Sequence, residues 1–148
     1  MPGKVSLAKQ QYYGHAQNLF WPFMHEIFGI DSNLPYEQRL ALLQSQGIAL
    51  WDVMQECERH SSLDSDIVEH SIKPNDFNDF FQRYPAILHI CFNGAKAESS
   101  FMKYVLRTNK QLTHLHLTRL PSSSPANASI NKIKKLEAWR KLKLFTQV

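Results

Sequence analysis

The chain has 148 residues, 43% of them hydrophobic, and a formal net charge of +4. That length suits one domain, over residues 1–148, with a single buried core, and is too short for two ordinary domains. No apolar run approaches the roughly 20 residues that cross a bilayer, and no charged start precedes an apolar signal segment. We therefore expect a soluble, intracellular, cytoplasmic protein, and we predict a monomer.

Metal ligands are sparse in this sequence. The two cysteines, Cys57 and Cys91, stand in unrelated contexts, so neither a disulfide framework nor a four-ligand metal or iron–sulfur site is expected. Of the seven histidines, His114 and His116 are close enough to face one side of a strand, but no third ligand stands out nearby. The sequence thus predicts neither a bound metal nor a cofactor.

Basic residues gather near the end of the chain, and this favours a polyanionic partner. They are Lys132, Lys134, Lys135, Arg140, Lys141 and Lys143. On charge alone, however, a solvent-exposed helix face is a better interpretation of this cluster than a binding site for a polyanion.

Helical patterns fill the first third of the chain. Apolar residues at helical spacing predict a helix from Asn18 that ends at Gly29, and a second helix follows Ser32 and ends at Gly47. The inward positions of the first helix are Phe20, Phe23, Met24 and Ile27. Directly behind the second glycine, Ile48–Val53 is expected to be a buried strand.

The middle of the chain is expected to begin with a polar, irregular loop over Cys57–Pro74. Asn75 should then cap a helix with four aromatic residues on its inner face. These are Phe77, Phe80, Phe81 and Tyr84.

The last part alternates strands and helices again. Ile87–Phe92 reads as a strand, Asn93 and Gly94 as a turn, Ala95–Arg107 as a helix, and Leu112–Leu120 as a further strand. A proline- and serine-rich loop over Pro121–Ala128 precedes one long helix capped by Ser129. Its inward residues are predicted to be Ile130, Ile133, Leu136, Trp139 and Leu142, with the basic residues outward.

This order of elements predicts a three-layer α/β/α fold around a central, mostly parallel, four-stranded sheet. Such sheets bind ligands at the carboxyl ends of their strands. Candidate functional residues therefore lie near Asp52, near Asn93 and in the loop after Leu120.

Five segments stand out, two near the start of the chain and three at these strand ends: Met1–Gly3, Gln11–Trp21, Gly47–Val53, Phe92–Gly94 and Leu120–Asn127. In order and spacing they resemble the uracil-DNA glycosylase superfamily, and within it the hypoxanthine-DNA glycosylase branch. The resemblance implies a base-flipping enzyme that hydrolyses the N-glycosidic bond of a deaminated base. Hypoxanthine would be the base, with uracil or xanthine as alternatives. Its partner is then DNA containing deaminated bases, and in a prokaryote the protein would be nucleoid-associated.

The same resemblance places the branch's catalytic asparagine at Asn18. An amide is no general base at neutral pH, so we expect its carbonyl oxygen to orient water and its placement to stabilise the transition state. From the residues alone, a cap for the following helix is slightly favoured.

Three further side chains are candidates for binding the base. Asp52 could accept the N–H of a lactam such as hypoxanthine or uracil and so reject adenine, whereas many superfamily members have an amide there. A strand-end carboxylate paired with a basic neighbour is an equal alternative. Tyr13 resembles the aromatic that stacks on the flipped base, although Tyr12 could replace it and either could be core. Asn93 either touches the base edge or begins a turn.

Ser122, Ser123 and Ser124 correspond to the segment that lies against the DNA. Their hydroxyl and backbone N–H groups suit phosphate contacts, and an ordinary solvent loop is the alternative.

The chain departs from the family at its start. Members have a strand and a glycine before Met-Pro-Gly, whereas this sequence opens at Met1, so we expect either an upstream start or a truncated first strand. A catalytically impaired relative that acts as a nucleic-acid-binding module is therefore the alternative function. An unrelated α/β hydrolase of nucleotides ranks last, because no phosphate-binding or nucleophile motif is present.

Overall fold

The computed structural model describes residues 12–13, 16–59, 67–107, 109–125 and 130–146, with the backbone alone for most of 54–73. These residues form two compact units. One unit holds Asp52–Leu120, and the other combines the described residues up to Trp51 with those from Pro121 onward. The second unit is thus built from two separate stretches of chain.

The described residues contain six α-helices, two shorter helical turns and four strands. In chain order they are α1 (Phe20–Phe28), α2 (Tyr36–Ser45), β1 (Met54–Arg59), β2 (Ile67–Pro74), α3 (Phe77–Arg83), β3 (His89–Asn93), α4 (Ala95–Phe101), a π-helical turn (Met102–Leu106), a 3₁₀ turn (Lys110–Leu112), β4 (His116–Leu120), α5 (Lys132–Trp139) and α6 (Lys141–Thr146).

Helix α1 has the buried face that its spacing predicts. Phe20, Phe23, Met24 and Ile27 are all buried, because they recur at one side of a 3.6-residue period. Gly29 ends the helix at φ +71°, and its N–H donates to the carbonyl of His25. The glycine cap is therefore confirmed.

The expected strand over Ile48–Val53 is wrong. Gly47 adopts φ +82° after α2, and the N–H of Ile48 returns to the carbonyl of Leu43. The N–H of Ile48, which would form the first hydrogen bond of a strand, thus caps the carboxyl end of α2 instead. Residues 48–53 are irregular, and Trp51 is exposed.

The loop expected over Cys57–Pro74 is also wrong where the structure describes this segment, and residues 60–66 lie outside the described residues. β1 and β2 form an antiparallel pair that runs from Met54 opposite Pro74 to Arg59 opposite Ile67. The register shifts twice along this pair. Such irregularities break the two-residue alternation by which a strand is recognised in sequence.

An aromatic core fills the unit of residues 52–120. Phe77 and Phe81 of α3 are buried as predicted, whereas Tyr84 is exposed. The buried cluster is completed by Val53, Phe92, Phe101, Val105, Leu112 and Leu115. The cap of α3 is Asp76, whose side chain accepts from the N–H of Asp79, and not Asn75.

Strands β3 and β4 form a parallel pair whose carboxyl ends meet. His89 lies opposite His116 at one end, and Asn93 lies opposite Leu120 at the other. The predicted sheet of four mostly parallel strands is therefore not what the described residues display, since they contain this parallel pair and the separate antiparallel pair.

The final basic segment is two helices and not one. Asn131 caps α5, and the predicted cap, Ser129, lies outside the described residues. The first helix ends before Arg140, and α6 follows. Trp139 and Leu142 are buried as expected, but Ile133 is 71% exposed and Lys135 only 3%. The large Trp139 ring thus determines which face of α5 is buried. The aliphatic part of the Lys135 side chain lies on the same face, one helical turn earlier. Burial lowers the pKa of Lys135.

Candidate functional site

The side chain of Asn18 is fixed at the start of α1 by two hydrogen bonds. Its Oδ1 atom accepts from the backbone N–H of Phe20 at 2.9 Å and from the hydroxyl of Ser123 at 2.9 Å. Because a backbone N–H can only donate, the first of these identifies the amide atom as the oxygen. The capping role expected from the residues alone is present, together with a second bond that local sequence did not predict.

The backbone of the serine loop reinforces this contact. The N–H of Leu19 donates to the carbonyl of Ser123 at 3.0 Å, and Ser123 is 0% exposed. Two parallel links therefore join the residues before α1 to the loop that follows Leu120.

The engaged oxygen of Asn18 has a chemical consequence. An amide oxygen has two lone pairs, and both face donors here. The Nδ2 hydrogens are thus the part of this side chain that can act on a ligand. From the resemblance we expect the oxygen to orient water, and this arrangement favours Nδ2 instead.

Tyr13 is held against α1 in an unusual backbone conformation. Its φ is +58°, and its half-buried ring stacks on Phe20 with centroids 4.1 Å apart and planes 27° from parallel. A tyrosine in the left-handed region is strained, and such strain persists where surrounding contacts impose it. The ring is therefore held in place against Phe20.

Tyr12 anchors this turn through its backbone. Its N–H donates to the hydroxyl of Tyr36 at 2.9 Å, and its carbonyl accepts from the indole N–H of Trp21 at 3.2 Å. Arg39 lies over the Trp21 ring, with its guanidinium carbon 4.6 Å from the centroid. These contacts hold the position of the neighbouring Tyr13.

The three serines after Leu120 differ in their surroundings. The hydroxyl of Ser122 accepts from the N–H of Ser124 at 3.2 Å, and both residues are half-buried. Ser123 is enclosed, and its hydroxyl donates to Asn18. A direct phosphate contact thus stays a prediction for Ser122 and Ser124, whereas the enclosed Ser123 side chain supports Asn18.

Asp52 and Asn93 belong to the unit of residues 52–120. The backbone carbonyl of half-buried Asp52 accepts from the side-chain amide of Asn75 at 2.6 Å. Asn93 ends β3 directly opposite Leu120, and Gly94 follows it at φ +95° with its N–H donating to the Leu120 carbonyl at 2.9 Å. Asn93 therefore begins a turn at the edge where ligands of parallel sheets bind.

The described residues contain no group of three or more potential metal ligands. Among them, no helix combines the length and apolar character that a membrane span requires. Burial raises the pKa of the half-buried Cys91 thiol to about 11, so this cysteine is protonated at neutral pH.

A parallel strand pair that carries a polar side chain, here Asn93, at a carboxyl end is typical of ligand-binding α/β proteins. The sequence model of the uracil DNA glycosylase superfamily, a protein family, matches residues 1–143 of the chain. The chain belongs to this superfamily, which confirms the family that its sequence segments resemble.

Two curated relatives are named hypoxanthine DNA glycosylase. The protein from Methanosarcina acetivorans is 36% identical over 138 residues, which cover 93% of this chain and 82% of the relative. The one from Methanosarcina barkeri is 35% identical over 136 residues, covering 91% of this chain and 81% of the relative.

A solved structure is similar as well. It is a solution NMR structure of a protein from Methanosarcina acetivorans that was provisionally assigned as a uracil DNA glycosylase. It is 34% identical, with a TM-score of 0.78, and the match covers 98% of this chain and 85% of that one. The α/β class predicted from the sequence is thereby confirmed.

Proposed function

We propose that this protein is a monofunctional DNA glycosylase that removes deaminated bases, with hypoxanthine as the first substrate to test and uracil and xanthine next. Membership of the superfamily and the names of the two relatives support this activity. The observation that carries it is the Asn18 amide, fixed by two hydrogen bonds beside the stacked Tyr13 ring.

The reaction requires that the damaged nucleotide leave the stack before its glycosidic bond breaks. The bond between C1′ and the base nitrogen then breaks, its electron pair leaves with the base, and positive charge develops on the sugar. A water oxygen attacks C1′, and the proton it releases passes to the base or to solvent. Because the sugar is strongly electrophilic at that stage, a well-placed water is needed more than a strong base.

Asn18 positions this water as a hydrogen-bond donor. The Oδ1 atom of Asn18 already accepts two hydrogen bonds, so Nδ2 donates to one lone pair of the water oxygen. The second lone pair of the water attacks C1′. Such a preorganised contact does not need to reorient during the reaction.

The remaining predicted residues complete the proposal. Tyr13 would stack on the extruded base. Asp52 would accept the lactam N–H and Asn93 would contact the base edge. Ser122 and Ser124 would contact the DNA backbone.

The test uses oligonucleotides with one hypoxanthine, uracil or xanthine, in single- and double-stranded form. Release of the free base with formation of an alkali-sensitive abasic site is expected for at least one. No product from a demonstrably folded sample would contradict the proposal.

Two variants of Asn18 then test its role. Asn18→Ala should lower kcat by about 100- to 1,000-fold, comparable to the loss of one preorganised donor. Asn18→Asp keeps an oxygen acceptor for Phe20 and Ser123 but replaces Nδ2 with a second oxygen. A similar loss in both variants supports the donor role, whereas retained activity in Asn18→Asp would assign an acceptor or base role.

The alternative is a binding module without chemistry. It is supported by the exposed basic residues of the final helices, Lys132, Lys134, Arg140, Lys141 and Lys143. Salt-dependent DNA binding with no base release would favour it, and lesion-dependent turnover would exclude it.

We also propose that β3 and β4 belong to a four-stranded, mostly parallel sheet in one domain over residues 1–148. Membership of the superfamily supports this arrangement. Hydrogen exchange tests it, because central strands of one sheet should exchange together and at the slowest rate.

A further inference from the structure

The contact between Ser123 and Asn18 has a geometry that a helix cap alone does not need. The Phe20 N–H comes from the same local segment as Asn18, two residues away. With that one donor, the amide can still turn about its terminal side-chain bond, since this torsion has a broad energy profile. A second hydrogen-bond donor, approaching from another direction, restricts this rotation of the amide.

Ser123 is well suited to be this second donor. Its hydroxyl comes from a residue 105 positions away in sequence, and its backbone is held by the Leu19 N–H through its own carbonyl. The residue is fully enclosed, so its hydroxyl has no access to bulk water as an alternative partner. The position of the hydroxyl is thus defined by the fold.

We propose that Ser123 is a positioning residue for the glycosylase reaction: its buried hydroxyl fixes the plane of the Asn18 amide and so aims Nδ2 at the attacking water. This inference rests on the proposed function of Asn18. Ser123 touches neither DNA nor water in this role and acts through the amide alone.

The first test separates catalysis from binding. Ser123→Ala removes the second donor and leaves the cap bond from Phe20, so the amide becomes free to misalign. Small misplacements of a catalytic group cost up to about 100-fold. We expect a 10- to 100-fold lower kcat with an unchanged KM for lesion-containing DNA. An unchanged kcat, or an effect confined to KM, would overturn the proposal.

Ser100→Ala is a matched control. Ser100 is 2% exposed, and its hydroxyl has no hydrogen-bond partner among the described residues. Its replacement removes the same buried atom without touching Asn18, so kcat should stay at the wild-type value.

A double-mutant cycle tests whether Ser123 acts through Asn18. If it does, Ser123→Ala should cause little further loss in the Asn18→Ala background. Equal losses in both backgrounds would show that Ser123 acts elsewhere, for example on loop stability, and would overturn the proposal.

A second readout does not depend on activity. The side-chain amide of Asn18 gives a pair of signals in a ¹⁵N-correlated NMR spectrum, assigned by their disappearance in Asn18→Asp. We expect the order parameter of this amide to fall in Ser123→Ala and to stay high in Ser100→Ala. An equally rigid amide in Ser123→Ala would refute the inference. Failure of the proposed function would appear separately, as a rigid wild-type amide without base release.

Discussion

The indole N–H of Trp139 donates to the backbone carbonyl of Pro121 at 2.8 Å. The same ring packs edge-on against Phe20, with centroids 5.8 Å apart. One side chain of α5 thus contacts both the start of the serine loop and the aromatic residue beneath Tyr13. Helix α5 therefore supports both the start of the serine loop and the start of α1.

Trp139→Phe keeps an aromatic ring but removes the donor to Pro121. Because a part-buried carbonyl then loses its partner, we expect the free energy of unfolding to fall by about 1–3 kcal/mol. Urea denaturation measures this change. Ile133→Ala, on the exposed side of the same helix, is the control and should change stability by less than about 0.5 kcal/mol. Equal effects of the two would contradict the structural role of the bond.

Gly94→Ala tests the turn at the end of β3. At φ +95° a Cβ atom is strained, and the N–H of this residue donates to Leu120. We expect a loss of about 1–3 kcal/mol of stability in urea denaturation. Gly29→Asn is the comparison, because asparagine tolerates the left-handed cap at φ +71°. A smaller loss for Gly94→Ala than for Gly29→Asn would argue against this geometry.

Tyr13→Leu should weaken binding of the extruded base and leave the fold intact. Stacking is worth about 1–3 kcal/mol per base, so KM for lesion-containing DNA should rise by roughly 5- to 150-fold. Tyr13→Phe preserves the ring on Phe20 and should stay close to wild type. The control is Tyr84→Leu, which removes an exposed ring from the other unit. Unchanged KM in Tyr13→Leu would assign Tyr13 to packing alone.

Asp52→Asn tests base selection. Loss of a charged acceptor for the lactam N–H should reduce kcat/KM for hypoxanthine by about 10- to 100-fold. The ratio of activity on hypoxanthine to that on adenine should fall as well. Asp31→Asn is the control, because the Asp31 carboxylate accepts from Asn33 in an exposed loop. An unchanged ratio would mean that Asp52 does not read the base.

Cys91 should be a poor nucleophile in the folded protein. Burial raises its pKa from 9.0 to about 11, so at pH 8 its thiolate fraction is about 100-fold lower than in the unfolded chain. We expect a chromogenic disulfide to modify Cys91 correspondingly slowly in a Cys57→Ser background. The unfolded chain ionises first, so stability should decline as pH rises from 9.0 towards 11. Equal rates for folded and urea-unfolded protein would contradict this environment.

Local signals made part of the fold predictable. The buried face of α1 and its Gly29 cap follow from side-chain spacing and from the steric freedom of one residue. The antiparallel pairing of β1 with β2 was not predicted, because its register shifts disturb the alternation of side chains. In α5, the size of the Trp139 ring and its bond to Pro121 set which face turns inward, so Lys135 is buried and Ile133 is not.

The sequence predicted which residues form the candidate site, but it did not predict how their side chains contact one another. Resemblance pointed to Asn18 and to the serine loop, but no local pattern signals a bond between residues 105 positions apart. Complete burial of Ser123 was equally hidden, because a run of three serines is typical of solvent-exposed turns.

The distance in sequence between Asn18 and Ser123 has a further consequence during biosynthesis. The amino-terminal part of the chain leaves the ribosome first, so Asn18 emerges before the serine loop has been translated. The amide cannot acquire its final orientation until the loop after Leu120 has emerged and closed on it. Nascent chains should therefore begin base excision only near the end of synthesis, and ribosome-stalled chains that stop before Pro121 should be inactive.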